Sequence, residues 1–528
     1  MNRAGRLLIS FLATLLPAAL WAQGLNPATL LKPGDSWPSY NGDYSGRRYS
    51  ALTQINSSNV GSLALAWVSH PSFRGDTGAS SASSASKATP IEVNGILYFS
   101  APDNAWAIDA RTGREIWHYL YPPNNGHRNG SRGLGMSGGW LYFVTPDNHL
   151  VCLDAKTGKQ RWIVELADVA LDYFSTTAPI IVRNHVIVGV GGDTLDNPGY
   201  IESRDAETGD LQWQFFTEPK PGQPGSETWP NADAMEHGGG MPWMPGTYDP
   251  DLNLYYFGTG NPNPVHDGES RKGDNLWTCS IVALNPDTGK MAWYFQASPH
   301  DTHDWDAVET PVLFDGQFAG KPRKLLAQSS RNGYFFVLDR ATGEHLLTAP
   351  FIDTNWTKGI NAAGQPIPDP AKEPKQDGTL VVPNSSGATN WLPPSYDPDT
   401  GLFYVNAISV YSVYYRTAEG KGEGFAGRDM SLTSRQDFTL AIDYHTGKIA
   451  WRHDDGLAGI LTTAGKVLFT GNTSGALLAL DAAKGTTLWH VNTGANLANG
   501  PMTYALDGHQ YVVFGVGDAL FAFTLPQR

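Results

Sequence analysis

AIDARTGREIW at 107–117, CLDAKTGKQRW at 152–162, SRDAETGDLQW at 203–213, ALNPDTGKMAW at 283–293 and AIDYHTGKIAW at 441–451 repeat one phrase, A-x-D-x-x-T-G-x-x-x-W, and ALDAAKGTTLW at 479–489 repeats it with Lys in place of Thr. A repeat of this kind marks an array of small supersecondary units, and four-stranded propeller blades recur at roughly 40–50 residues. In each copy an apolar pair feeds a strand, the Asp and Thr-Gly make a turn whose Gly can take positive φ, and the next strand ends on Trp. A Trp recurring at one place in each unit can pack on the neighbouring unit and donate its N–H to a backbone partner.

The surrounding sequence reads as strand. TPIEVNGILYFSA (89–101), GWLYFVTPDNHLVCLDA (139–155), APIIVRNHVIVGV (178–190) and GKVLFTGNTSGALLALDA (465–482) are β-branched and aromatic runs broken by tight-turn residues. Amphipathic helical periodicity is hard to find beyond the N-terminus. With Trp67 in LALAWV and the degenerate copy VLDRATGEHLL (337–347), the repeat ends fall at Trp67, Trp117, Trp162, Trp213, Trp293, Leu347, Trp451 and Trp489. The expected fold is therefore all-β, an eight-bladed β-propeller with Trp-ended blade repeats. A chain of 528 residues would otherwise suggest several cores. A propeller escapes that limit because each blade packs only on its neighbours.

Residues 1–22 read as a secretory signal peptide, leaving 23–528 as a single propeller domain. Arg3 and Arg6 precede the apolar stretch LLISFLATLLPAALWA, which ends on small residues before Gln23. No second apolar stretch of that length follows, so no membrane span is expected after cleavage, and the destination implied is a bacterial periplasm. A formal net charge of −14 argues against nucleic acid as a partner and suits solubility, or attraction of a basic protein such as a small cytochrome. Only Cys152 and Cys279 are present, each within a strand-like run and neither in C-x-x-C-H. Two buried thiols are expected, with no haem attached covalently to this sequence.

Several stretches outside the repeat phrase carry a family resemblance. They are DSWPSYNGDYSGRRYSALTQINSSNVGSLALAWV (35–68), MPWMPGTYDPDLNLYYFGTGNP (241–262), DNLWTCSIVALNPDTGKMAWYF (274–295), SPHDTHDWDAVETPVLFDG (298–316), RNGYFFVLDRATG (331–343) and GATNWLPPSYDPDTGLFYV (387–405). In this order and spacing they resemble the pyrroloquinoline quinone (PQQ)-dependent alcohol dehydrogenases of the methanol/ethanol type, over roughly residues 35–525. The resemblance implies oxidation of a small alcohol substrate in a pocket holding PQQ and a hard cation, with electrons passed to a separate cytochrome c. Two other readings remain open: a dehydrogenase of sugars or polyols, and a non-catalytic propeller scaffold of the outer-membrane assembly type.

PQQ is a planar tricarboxylate quinone, so its pocket needs an aromatic floor, cations and a metal on the quinone oxygens. Trp243 is similar to the family's floor Trp. Arg331 and Arg132 are similar to its basic cofactor contacts, and Thr176, Asn390 and Trp391 to further ones. Asp304 aligns with the family's catalytic aspartate, which takes the alcohol proton as hydride leaves for the quinone. Its neighbour His303 could be mistaken for the base. Asn261 matches the family's Asn metal ligand. The family's Glu ligand falls on Thr194 here, so Asp193, or else Asp196, must serve. Asp306, two residues beyond the base, is characteristic of lanthanide-using relatives, and a trivalent ion favours more anionic oxygens. Asp193, Asp304 and Asp306 with Asn261 therefore form the expected set for Ca²⁺ or a lanthanide ion. Two departures accompany this: Gly126 and His127 stand where the family has adjacent cysteines, and Lys87 stands where it has Glu, well placed to meet a PQQ carboxylate.

Overall fold

The computed structural model describes residues 24–71, 87–122, 126, 130–192, 196–417, 424–472, 474–495, 497 and 499–526. The expected signal peptide, His127 and Asp193 lie outside the described residues. Among those described, eight antiparallel sheets of four strands follow one another along the chain, one of them extended by a fifth, parallel strand. The first runs Ile91–Val93, Ile96–Ala101, Asn104–Asp109 and Glu115–Leu120. The last breaks the serial order. Its strands Met502–Leu506, His509–Val516 and Ala519–Thr524 are completed by Ala64–Ser69 from the other end, with Trp67 opposite Ala522. The only α-helix among the described residues is Ala232–Glu236. No described helix is long and apolar enough to cross a membrane.

The repeat phrase explains how the sheets meet. At 107–117 the Asp109 carboxylate accepts the Arg111 and Thr112 N–H groups, its carbonyl accepts Gly113 N–H at 2.8 Å, and Gly113 takes φ +72°. The Trp67 ring of the adjacent sheet lies on that glycine, where a Cβ would come within 2.6 Å of ring carbon, and its indole N–H donates to Ala110 O at 3.1 Å. Trp117 sits likewise on Gly158 and donates to Ala155 O. Trp213, Trp293 and Trp451 donate to Pro286, Arg340 and Ala482 carbonyls. The Thr-Gly is therefore a landing site for the preceding Trp as well as a turn. Between sheets the core is aliphatic and aromatic, for example Val144, Leu150 and Cys152 packed with Val186, Val188 and Val190. Cys152 and Cys279 are buried free thiols.

A second device ties the array. Segment 44–50 runs along the first strands of four sheets: Tyr44, Ser45, Arg47 and Arg48 carbonyls accept N–H groups of Tyr248, Leu313, Tyr396 and Thr462. Arg48, fully buried, donates to the carbonyls of Tyr40, Ile460 and Pro501. Outside the eight sheets, a three-stranded one (Thr379–Val381, Ser412–Arg416, Gly427–Ser431) and a two-stranded one (Thr357–Ile360, Pro366–Pro368) form from the long interval between the repeat ends at Leu347 and Trp451.

Candidate functional site

Eight of the residues singled out by the sequence occupy six segments that lead into first strands. Lys87 precedes Ile91–Val93, Arg132 precedes Gly135–Ser137, Thr176 precedes Ile180–Val182, Trp243 precedes Thr247–Asp249, Asp304 and Asp306 precede Val312–Phe318, and Asn390 and Trp391 precede Ser395–Asp397. Asn261 follows Leu254–Gly258 and Arg331 follows Lys321–Ser329. First strands share one side of the array, so residues far apart in sequence are gathered there.

Trp243 is the centre of the cluster. Its indole N–H donates to Asp306 Oδ2 at 2.6 Å, and the guanidinium carbons of Arg132 and Arg331 lie 4.5 and 5.5 Å from its ring centroid. Arg132 also lies 5.8 Å from the Trp391 ring, and Lys87 Nζ 6.0 Å from it. The Arg132 guanidinium donates to Thr176 Oγ1 and, at 3.2 Å, to Thr176 O. The Thr176 hydroxyl in turn faces the Trp243 carbonyl at 3.3 Å. Among the described residues Arg132 has no carboxylate partner. Burial pulls its pKa down to about 10, with Arg331 adding to that and Tyr40 opposing, and burial followed by Arg132 lowers that of Lys87. Such a site, two flat aromatic faces among partly buried cations, suits a planar polyanion. Asn390 is the exception: its amide is spent on Ser386 O and on Trp391 N–H within its own loop.

The acidic side is built by one turn. Asp301 Oδ2 accepts the backbone N–H groups of His303, Asp304 and Trp305 at 3.3, 3.0 and 3.1 Å, and Asp304 takes φ +70°. Aspartate tolerates this left-handed conformation better than most residues. The turn presents Asp304 to Arg331, whose Nη1 lies 2.8 Å from Asp304 O, 3.2 Å from its Oδ1 and 3.4 Å from Asp306 Oδ2. His303 is not available as a base: burial pushes its pKa down to about 3, its Nε2 faces Lys372 O at 3.0 Å, and its ring stacks 4.3 Å from that of Trp305.

Asn261 and the two aspartates make an oxygen cage. Asp306 Oδ1 accepts Asn261 N–H at 2.7 Å, and the Asn261 side-chain oxygen lies 3.1 Å from Asp306 Oδ1 and 3.2 Å from Asp304 Oδ1. Three acceptor oxygens this close repel unless a proton donor or a cation lies among them. Rotating the Asn261 amide would put its nitrogen there, but would bring its oxygen 2.9 Å from Asn263 Oδ1. A hard cation relieves the repulsion with every oxygen left inward, and 2.3–2.6 Å bonds are compatible with such oxygen spacings. The set counts two carboxylates and an amide. Among the described residues no three His, Cys, Asp or Glu side chains converge on one metal position. Asp196, the alternative to Asp193, points elsewhere: its Oδ1 accepts Gly424 N–H at 2.6 Å.

Three carboxyls near the site escaped the sequence reading. Asp301 was detectable as an Asp three residues before another in a turn. Glu309 is buried, and burial raises its pKa to about 8 against the opposing pull of Arg331. Glu218 is buried beside Gly238 and Gly240. Neither glutamate stands in a motif that could have drawn attention to it.

Known proteins share this chain's sequence and fold. The family model described as "PQQ: Glucose/ethanol/alcohol dehydrogenase, beta-propeller domain" matches residues 37–374 and 450–512. The chain is similar to quinoprotein alcohol dehydrogenase PedH of Pseudomonas putida, 35% identical over 90% of this chain and 85% of that one. It is also similar to the lanthanide-dependent methanol dehydrogenase of Methylacidiphilum fumariolicum, 32% identical over 92% and 85%. Among solved structures, the quinohemoprotein alcohol dehydrogenase of Comamonas testosteroni superposes with a TM-score of 0.87 at 33% identity, covering 96% of this chain and 83% of that one.

Proposed function

The chain belongs to the family of PQQ-dependent alcohol dehydrogenases, and on that premise we propose that it oxidises a primary or secondary alcohol in the pocket bounded by Trp243, Arg132, Arg331, Asp304 and Asp306. It is an enzyme of the quinoprotein class, taking PQQ with Ca²⁺ or a lanthanide ion. The observation that carries the site assignment is the hydrogen bond from Trp243 to Asp306, which joins the aromatic face beneath Arg132 and Arg331 to the oxygen cage.

When bound, PQQ supplies the two-electron acceptor for the hydride of the carbinol carbon. The chain does the rest. Trp243 offers the flat surface, while Arg132, Lys87 and Arg331 provide cationic partners for carboxylates and quinone oxygens, with Thr176 fixing the Arg132 head. Trp391 borders the same space. Asp304, paired with the Arg331 guanidinium, accepts the hydroxyl proton at a carboxylate oxygen. Asn261, Asp304 and Asp306 hold the cation, and the carbonyl of Asn261 contributes without charge. Buried His303 stays neutral and shapes the wall behind the base.

The remaining steps are proposals of the same kind. The eight sheets are the blades of a closed eight-bladed propeller, a reading supported by Ala64–Ser69 completing the last sheet. Residues 1–22 direct the chain to the periplasm, and 23–528 form one domain. Electrons pass to a separate cytochrome c, since both cysteines are buried, Cys152 in a strand and Cys279, contrary to its strand-like sequence, in the turn before Ser280–Asn285, and neither is suited to carry haem. Reconstitution tests the whole: chain freed of metal and PQQ is given PQQ with Ca²⁺ or La³⁺, and dye reduction is followed with alcohols of increasing size and one polyol. Alcohol-dependent reduction needing both additions is expected, and none with any alcohol would sink the proposal.

A further inference from the structure

We propose that Arg271, seconded by His266, is a positioning residue of the cation site: it sets the distance between the segment that carries Asn261 and the turn that carries Asp304 and Asp306. This rests on the reading of that cage as a cation centre.

Arg271 ends the short 3₁₀ helix Gly268–Arg271 and is fully buried. Its hydrogen bonds run to uncharged oxygens. Nε donates to Pro264 O at 2.9 Å, Nη1 to Asn275 Oδ1 at 2.9 Å, and Nη2 to Val265 O at 2.7 Å and Asp301 O at 2.5 Å. Asn275 Nδ2 returns a bond to Arg271 O at 2.7 Å, so the side chain and main chain of Arg271 are fixed together. Burying a guanidinium on neutral oxygens is costly, and burial pulls its pKa down to about 10. An apolar side chain of like volume would fill the space at lower cost. What the guanidinium adds is direction, a planar fork whose N–H bonds leave at fixed angles.

The two stretches it ties are the two sides of the cage. Pro264 and Val265 follow closely on Asn261, and Asp301 is the residue whose carboxylate caps the turn that presents Asp304. One nitrogen, Nη2, gives a proton to each side. His266 adds a parallel tie, its Nδ1 lying 3.0 Å from Thr302 O. The stretches also pack closely here, since a Cβ at Gly268 would lie 2.8 Å from Thr302 Cγ2. Toward the cage, Asn261 N–H meets Asp306 Oδ1 at 2.7 Å. The cage oxygens therefore sit on two stretches of chain joined both beside the ion position and behind it. Groups that orient ligands govern a metal's affinity without touching it, and Arg271 supplies the joint behind.

The test is a terbium(III) titration of the full chain freed of metal and PQQ, read by tryptophan-sensitised emission with Trp243, bonded to Asp306, as antenna. Arg271→Lys keeps the charge and gives up the fork. It is expected to weaken Tb³⁺ binding by about 10–100-fold, the usual effect of losing a partner that orients ligands, and to admit more inner-shell water, read from emission lifetimes in H₂O and D₂O. Arg452→Lys, at an exposed ion pair, should change neither. A purely structural arginine would lower the melting temperature and leave the affinity of the folded protein as it was. A loss of less than about fivefold in Arg271→Lys, with Asp306→Asn still losing Tb³⁺, therefore overturns the proposal and leaves the cation centre standing. If the parent shows no sensitised emission, the cation centre itself falls and the role of Arg271 with it. Should Arg271→Lys fail to fold, His266 decides by the same thresholds: His266→Gln, which moves the donor away from Thr302 O, should weaken Tb³⁺ binding, and His266→Asn, which keeps an N–H near the Nδ1 position, should restore it.

Discussion

Replacing Asp306 by Ala is expected to cost PQQ and metal binding together, whichever cation is supplied. The 2% exposed carboxylate accepts the Trp243 indole N–H at 2.6 Å and the Asn261 N–H at 2.7 Å. Hydrogen bonds to charged groups contribute about 1.5–3 kcal/mol each, so two amount to about 3–6 kcal/mol. Part returns because a buried charge no longer has to be desolvated, leaving a net loss of about 2–4 kcal/mol in the metal-free protein. Unfolding entropy near 2.1 cal/mol/K per residue converts this to a fall of about 2–4 °C in melting temperature for a chain of this size. Read from sequence alone, Asp306 is an extra anionic ligand whose loss should spare calcium-supported activity. In the structure it also anchors Trp243, so the Ala variant should lose PQQ affinity with Ca²⁺ as well as with La³⁺. Asp306→Asn isolates the charge, keeping one acceptor oxygen, and should weaken La³⁺ more than Ca²⁺. Scanning calorimetry of metal-free protein and PQQ titrations with each cation measure both. An Ala variant that melts within about 1 °C of the parent and binds PQQ normally with Ca²⁺ refutes the anchor, and equal losses for both ions in the Asn variant refute the charge argument.

Asp304→Asn should keep PQQ and lose alcohol oxidation by roughly two to four orders of magnitude, the usual contribution of a positioned base; steady-state dye reduction checks it, and retained turnover removes Asp304 from proton transfer. Trp243→Ala should weaken PQQ binding in calorimetry and lower the cofactor-free melting temperature by only the few degrees that loss of its bond to Asp306 implies, since this Trp stands outside the blade repeat; a much larger thermal loss would make it a packing residue. Gly158→Ala should destabilise by about 1–3 kcal/mol, because φ is +69° and a Cβ would lie 2.6 Å from the Trp117 ring; an unchanged denaturation midpoint would show that the ring does not rest there. Glu309 has a folded pKa raised to about 8, so the native state holds its proton more tightly than the unfolded chain and stability falls as pH rises from about 4.5 to 8. Glu309→Gln cannot ionise, so it should match the cofactor-free parent at pH near 5 and exceed it near 9, and parallel pH profiles would refute that sign.

The fold was legible because its signal is periodic. Each A-x-D-x-x-T-G-x-x-x-W combines a turn, a glycine landing site and a Trp; Trp67, Trp117, Trp213, Trp293 and Trp451 donate to the carbonyls this predicts, whereas Trp162 rests on Gly209 with its buried N–H unbonded among the described residues. Where the phrase degenerates to VLDRATGEHLL, the landing persists with smaller groups: Gly447 faces Leu347 and Ala349. The threading of segment 44–50 along four sheets was not legible, because backbone carbonyls carry that pairing and any side chain supplies one. The cofactor side of the site was largely readable, since Trp243, Arg132, Thr176, Arg331 and Trp391 sit in recognisable phrases and do converge. Asn390 sits in such a phrase too, yet its amide closes its own loop.

The acidic side was harder to read for a physical reason. HDTHDWD offers three carboxylates within six residues, and sequence cannot divide the work among them. Hydrogen bonds do. Asp301 spends one oxygen on three backbone N–H groups and so bends the chain. That bend puts Asp304 at positive φ, facing Arg331. The residue after next then returns Asp306 to the interior, between Trp243 and Asn261. Asp304 is the more exposed of the two ion-paired aspartates, with 19% of its side chain accessible against 3% for Asp306. In the proposed roles Asp304, as base as well as ligand, must meet substrate, whereas Asp306, as ligand and anchor of Trp243, need not, so the bend that Asp301 imposes is what sets the two apart. Weakening it by Asp301→Ala should therefore damage base and cation site together, although Asp301 faces neither.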